Sequence, residues 1–185
     1  MAYATELDPE RAAVEAIRTG DRSAFEAFAR RNARWVRGVI FGVLGDPDRM
    51  DDVTQQVWQA VWTRIEALRD VSQWRSWLYR LARNAAVDAG REQARRKRLN
   101  QQAADAPITS PETPEGEAIS RERHRAVMNA ISGLPALYRQ PFVLRHIEDW
   151  SYQQIADTMD MPPATVETRL VRARQLLREA LTGKV

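Results

Sequence analysis

Apolar residues recur along this chain at spacings of three and four, almost without interruption. Alternating β-branched runs bounded by turns, the mark of strands, are missing. The pattern predicts an all-α protein. Glu10 to Thr19 reads as a short first helix, ended by Gly20. Asp21 or Ser23 caps a second helix that runs to about Leu44, with Phe25, Phe28, Val36, Val39, Ile40 and Val43 on one side. The run GDPD, Gly45 to Asp48, breaks it. A third helix is expected from Met50 to Leu68, turning Val53, Val57, Ala60, Val61 and Leu68 inward, followed by a loop from Arg69 to Gln73. A fourth runs from Trp74 to Arg98.

Beyond that helix the pattern stops. Ala103 to Ser120 contains three prolines and no aromatic residue. Such a stretch buries too little apolar surface to offset the entropy of ordering, so it reads as a flexible linker. Periodicity resumes at Arg121 to Ser132, is interrupted by Gly133 to Pro135, and returns from Ala136 to Ile147. The predicted architecture is therefore two small helical domains, residues 1–98 and 121–185, joined by a flexible acidic linker over 99–120.

The segment from Trp150 to Leu181 is the most specific. Ser151 and Gln154 have the spacing of a capping box. Ile155, Ala156 and Met159 give a short helix one apolar face. Asp160 suits the left-handed turn position, and Pro163 the first turn of the next helix. Val166, Leu170, Ala173, Leu176, Leu177 and Leu181 then form a buried stripe, opposite a basic face. A lone basic amphipathic helix is ordinary bundle material. The capped helix and tight turn before it make the pair a helix-turn-helix, which names duplex DNA as a partner. Thr165, Glu167, Thr168, Arg169 and Arg172 stand where such a helix reaches base edges and phosphates.

Composition narrows the alternatives. No apolar run approaches the length of a membrane span, and the N-terminus has no signal-peptide core. Absence of cysteine excludes disulfides and thiolate metal sites and fits a cytoplasmic protein. His124 and His146 are too few to hold zinc, and no cofactor is implied. No Gly-rich phosphate loop and no nucleophile–base pair is present, so no catalytic residue is assigned and an enzyme is not expected. Net charge is only +3, but it is unevenly spread. Arg91 to Arg98 holds five positive charges against one negative, whereas Asn100 to Ser120 holds four acids and no base. The fourth helix interleaves aromatic and basic residues, a mixture that lets rings stack on unpaired bases while guanidiniums follow phosphates.

Together these features resemble the extracytoplasmic-function (ECF) sigma factors, group IV of the sigma-70 family. The run GDRSAFEAFARRN, then LGDPDRMDDVTQQVW, WRSWLYRLARNAAVD and RRKR is similar to their region 2. The run AISGLPALYRQPFVLRHIEDWSYQQIADTMDMPPATVETRLVRARQLLREAL is similar to their region 4. The resemblance implies a transcription-initiation subunit whose partners are bacterial RNA polymerase core (β′ clamp helices and β flap), promoter DNA and an anti-sigma factor, with no membrane insertion. Asp51, Asp52, Gln55, Gln56 and Trp58 fall where the family docks on polymerase. Arg69 and Ser72 lie in the loop that, by this resemblance, would hold a flipped −10 base. Trp74, Trp77, Tyr79, Arg80, Arg83 and Asn84 would line the melted strand, and Asp88, Arg91 and Arg95 the adjoining duplex. Thr165, Glu167, Thr168, Arg169 and Arg172 would face the −35 element. Glu167 stands where the family commonly has Lys, and a carboxylate there can accept from cytosine N4. MDMPPAT also lacks the family's usual Gly and cap residue in the turn. The alternative is a helix-turn-helix regulator that binds duplex DNA without serving polymerase, a reading that leaves the N-terminal domain without a task.

Overall fold

The computed structural model describes residues 9–100 and 118–182. Most of the expected linker lies outside these residues. Among the described residues there are eight α-helices and no strand. They are α1 (Pro9–Arg18), α2 (Arg22–Leu44), α3 (Met50–Arg64), α4 (Trp74–Asn100), α5 (Ala118–Gly133), α6 (Ala136–His146), α7 (Tyr152–Met159) and α8 (Pro163–Thr182).

Local chemistry sets most boundaries. Asp21, not Ser23, caps α2, its side chain accepting from the Ala24 amide at 2.9 Å. Gly45 ends that helix in the left-handed conformation, φ 66°, its N–H returning to the Phe41 carbonyl. Asp46 and Asp70 each cap a single 3₁₀ turn, Pro47–Arg49 and Val71–Gln73, so the expected loop before α4 is partly ordered as a turn. The third helix is shorter than expected. Its regular part stops at Arg64, and the chain tightens into a 3₁₀ turn, Ile65–Ala67, that still buries Ile65 and Leu68. The capping box at α7 is complete: the Gln154 amide donates to Ser151 Oγ at 3.1 Å and the Ser151 amide to Gln154 Oε1 at 2.8 Å. Asp160 adopts φ 54° and Pro163 opens α8, as their sequence context predicts.

The first domain packs α1, α3 and α4 around α2. Phe28, Val36, Ile40, Val53, Val57, Val61 and Leu78 form its centre. The second domain closes α6 and α7 on α8 and sets α5 against α8, burying Val143, Leu144, Ile155, Val166 and Leu170. The two domains are not independent bodies. Helix α2 lies directly on α6, and the core runs on from Trp35 and Ile40 into Leu144, Trp150 and Ile155. Trp35 and Trp150 meet with ring centroids 5.3 Å apart.

Two glycines of α2, Gly38 and Gly42, and its C-cap Gly45 permit that approach. A Cβ on Gly42 would meet the Gln140 backbone at 3.1 Å, and one on Gly38 would meet Glu148 Cγ at 3.2 Å. A Cβ on Gly45 would collide with the guanidinium of Arg139. Arg139, on α6, is only 6% exposed. Its Nε donates to the Gly42 carbonyl at 3.0 Å and its Nη2 to the Val43 carbonyl at 2.7 Å, closing the open C-terminal end of α2. Its Nη1 donates to the carbonyls of Leu134, at 2.9 Å, and Ser132. Burial holds the Arg139 pKa below the usual arginine value.

Candidate nucleic-acid interface

Helix α3 separates its chemistry by face. Val53, Val57 and Val61 are buried on one side, leaving Asp51, Asp52, Gln55 and Gln56 exposed on the other. The two acids also occupy the first turn, where the helix dipole favours negative charge. Asp51 forms an exposed ion pair with Arg37 of α2. Trp58 is half-buried, its ring edge-on to Phe25 at 6.5 Å and to Phe28 at 6.3 Å. A rigid apolar anchor thus sits beside an acid and amide surface.

The turn before α4 leaves Arg69 and Ser72 exposed. Asp70 between them accepts from the Ser72 side chain and amide, and both bonds hold its carboxyl below the usual range. On α4 the aromatic residues divide. Trp74 is 3% exposed and packs edge-on to Phe28 at 5.5 Å, with the Arg75 guanidinium 4.9 Å from its ring centroid. Tyr79 is 4% exposed; its hydroxyl donates to Gln140 Oε1 of α6 at 3.0 Å. Burial pushes the Tyr79 pKa up to about 12, against opposing effects of Arg83 and Arg169. Trp77 remains half-buried. Arg80, Arg83, Asn84, Asp88, Arg91 and Arg95 are exposed. Asp88 and Arg91 pair at 3.6 Å. Arg95 donates twice to Glu92, at 2.9 and 3.0 Å, and Arg96 shares the same carboxylate, which drives the Glu92 pKa down to about 2.

On α8, Thr165, Thr168, Arg169 and Arg172 follow the i, i+3, i+4, i+7 spacing of one face. Glu167, Thr168 and Arg172 are exposed, and Thr165 and Arg169 are half-buried. The Thr168 hydroxyl is turned back to the Ala164 carbonyl at 2.9 Å. Arg169 leans into a cleft at the domain seam, which it lines together with Tyr79, Arg80 and Arg83 of α4. The basic side of α4 and the first turns of α8 therefore face one another in this arrangement, and the buried rings of Trp74 and Tyr79 are closed to a base.

Comparison with known proteins accords with this geometry. The model of Sigma-70 region 2 matches residues 28–96, and that of Sigma-70, region 4 matches residues 124–177. An ECF RNA polymerase sigma-E factor of Haemophilus influenzae is 31% identical over 180 residues, spanning 93% of this chain and 95% of its own. The chain belongs to the ECF sigma factors. The sigma-E factor of Escherichia coli K12 is 30% identical, over 93% of this chain and 92% of its own. SigW of Bacillus subtilis is 24% identical, over 91% and 94%. Among solved structures, CnrH in complex with the cytosolic domain of CnrY superposes with a TM-score of 0.68 at 20% identity, covering 96% of this chain and all of that one. RpoE of Bartonella quintana in complex with the anti-sigma factor NepR superposes with a TM-score of 0.64 at 19% identity, covering 85% and 96%. Both share the fold.

In this sigma factor the residues that sequence reasoning missed are those of the seam. Gly38 and Gly42 share one face of α2, just before its C-cap Gly45, and that spacing is the only sequence signal for a close helix approach. Arg139 carries no local signal. Its acceptors lie on α2, at the end of α5 and in the turn that follows it.

Proposed function

We propose that this sigma factor docks on polymerase core through the exposed face of α3, opens the −10 element with the turn at 69–73 and the basic side of α4, and reads the −35 element with the first turns of α8. The single observation that carries the reading is the division of labour among the exposed surfaces. Asp51, Asp52, Gln55 and Gln56 make an acid and amide face on α3, suited to a basic partner surface. Arg80 and Arg83 on α4 and Arg172 on α8 are basic, exposed and without an ion-pair partner among the described residues. A helix-turn-helix regulator has no use for the first of these faces.

The unit boundaries that fit this reading are a region 2-like domain over 1–98, a linker over 99–120 and a region 4-like domain over 121–185. The protein acts in the cytoplasm, where polymerase is, and an anti-sigma factor is its expected antagonist. Among the described residues no helix is long and apolar enough to cross a membrane. The polymerase supplies the chemistry, and the sigma factor contributes differential binding to duplex and melted DNA.

The test is run-off transcription from a genomic fragment library with core polymerase and this protein, with sequencing of transcript starts. Starts that share paired −35 and −10 elements are expected. Arg172→Ala should then weaken −35 binding by about 1–3 kcal/mol if the contact is bidentate to a base. Trp77→Ala should spare polymerase binding and slow promoter opening. Duplex binding without any shared starts would overturn the reading.

A further inference from the structure

The seam between the domains encloses a cleft of about 370 Å³. Arg80 and Arg83 enter it from α4, one turn apart, and Arg169 enters from α8. Elsewhere this protein neutralises many of its arginines: Arg31 meets Glu10 at 2.7 Å, Arg34 meets Glu148 at 3.4 Å, and Arg95 and Arg96 meet Glu92 at 2.9 Å. The three cleft arginines have no ion pair among the described residues, although Asp160 lies on the same wall. Arg83 and Arg169 both act on the Tyr79 hydroxyl, so charges from two domains converge on one point. Like charges brought together at one cleft repel, and their juxtaposition calls for an anion. Guanidinium forks match phosphate oxygens in pairs, and adjacent phosphates can engage forks from two directions at once. Leu137, Met159 and Met161 add apolar wall, and Gln140 and Thr158 add neutral polar groups that can complete the contacts of an anion. The volume falls within the range of small-molecule sites and exceeds what a diphosphate alone fills.

We propose that this cleft binds a small anion carrying two or more adjacent phosphates, free or borne on a nucleoside, and that its occupation holds the two domains closed. The site exists only while α4 and α8 face each other, so the anion binds the closed arrangement and not an open one. By linkage it shifts the population toward closure. If Arg83 and Arg169 also read promoter DNA, as proposed above, the anion and DNA compete for the same side chains.

The probe is inorganic pyrophosphate, titrated calorimetrically into the full chain at fixed ionic strength, without DNA or polymerase. A second arm uses a nucleoside diphosphate, to separate the free from the nucleoside-borne source. Saturable binding at one site is expected. Arg83→Gln and Arg169→Gln should each weaken it about tenfold or more, the loss of one charge-assisted contact. Arg178→Gln removes the same charge from an exposed position of α8 outside the cleft, and should change affinity by less than about twofold. Gly42→Leu forces α6 away from α2 while leaving every arginine in place, and should abolish binding. The chain has no native cysteine, so dyes on Ala12→Cys and Ala180→Cys, both exposed, report closure directly. Pyrophosphate should raise their energy transfer. The glutamine variants alter exposed or half-exposed side chains, and circular dichroism checks that each is folded. Three results would each overturn the proposal: no saturable binding, equal losses in Arg178→Gln and Arg169→Gln, or undiminished binding by folded Gly42→Leu. None of them bears on transcription, so the promoter reading would stand or fall separately.

Discussion

Replacing Arg139 with methionine should uncouple the two domains. The guanidinium makes four hydrogen bonds to main-chain carbonyls, two across the seam to Gly42 and Val43 and two within its own domain to Ser132 and Leu134. A bond with a charged donor contributes about 1.5–3 kcal/mol, which for four bonds is roughly 6–12 kcal/mol before any cost is set against it. Against that stands the desolvation of a buried cation, several kcal/mol, the same effect that lowers its pKa. Methionine fills similar volume without the charge, but the carbonyls at the end of α2 and in the α5–α6 turn lose their donor. The balance is a loss of about 3–5 kcal/mol, about half of it across the seam. Urea unfolding measures the total, and energy transfer between dyes on the two domains reports the seam. Arg139→Lys should fall between the two, since an ammonium cannot reach acceptors on both sides as a fork does. A loss under about 0.5 kcal/mol, or unchanged energy transfer in the methionine variant, would refute the idea that this side chain ties the domains together.

Two further predictions concern the same scaffold. Tyr79 ionises at about 12 when folded and near its ordinary value of 10.0 when unfolded. Its contribution is therefore intact below pH 10 and is lost as pH rises from 10 toward 12, because the unfolded chain releases the proton first; the loss is roughly 2–3 kcal/mol across that window. Urea midpoints measured at pH 9 and 11.5 should fall less for Tyr79→Phe than for the wild type, and an equal fall in both would place the titration elsewhere. Ser151→Ala breaks the capping box of α7 and should cost about 1 kcal/mol in thermal or urea unfolding. Helix α7 packs on α8, so an unchanged stability would mean that the cap contributes nothing to the helix-turn-helix.

Features carried by neighbours in sequence were legible before the structure was known. Ser151 with Gln154, Asp160 before its proline pair, Pro163 at a first turn and Asp21 at a cap each declare their role within four residues. The acid and amide face of α3 followed from the inward valines by helical geometry alone. What could not be read was the fate of individual side chains, which depends on which partner claims each one once the helices have packed. Trp74 and Tyr79 have the aromatic–basic spacing of a strand-binding face, yet their burial is decided by α2 and α6, far away along the chain. Arg95 looked available because its charge was counted, whereas its geometry commits it to Glu92 one turn earlier. The domain closure was invisible for a different reason. A glycine inside a helix ordinarily signals only weakness, and its use as clearance for another helix emerges when both helices are in place.

The bonds that Arg139 sends across the seam end on carbonyls of the α2 main chain. Every residue type presents the same carbonyl there, so the identity of Val43, half-buried at the seam, scarcely matters to the contact as long as the helix ends where it does. The glycines are the opposite: a Cβ at Gly45 would collide with the Arg139 guanidinium on a strained backbone, one at Gly42 would press on the Gln140 main chain at 3.1 Å, and one at Gly38 on the Glu148 side chain at 3.2 Å. A saturation library scored for closure should therefore be graded along the end of α2. Gly45 would tolerate least, Gly42 and Gly38 only what Gln140 and Glu148 can yield to, and Val43, packed against the core, would accept other apolar residues. The joint is keyed by clearance rather than by chemistry, and it can persist while the sequence around it drifts.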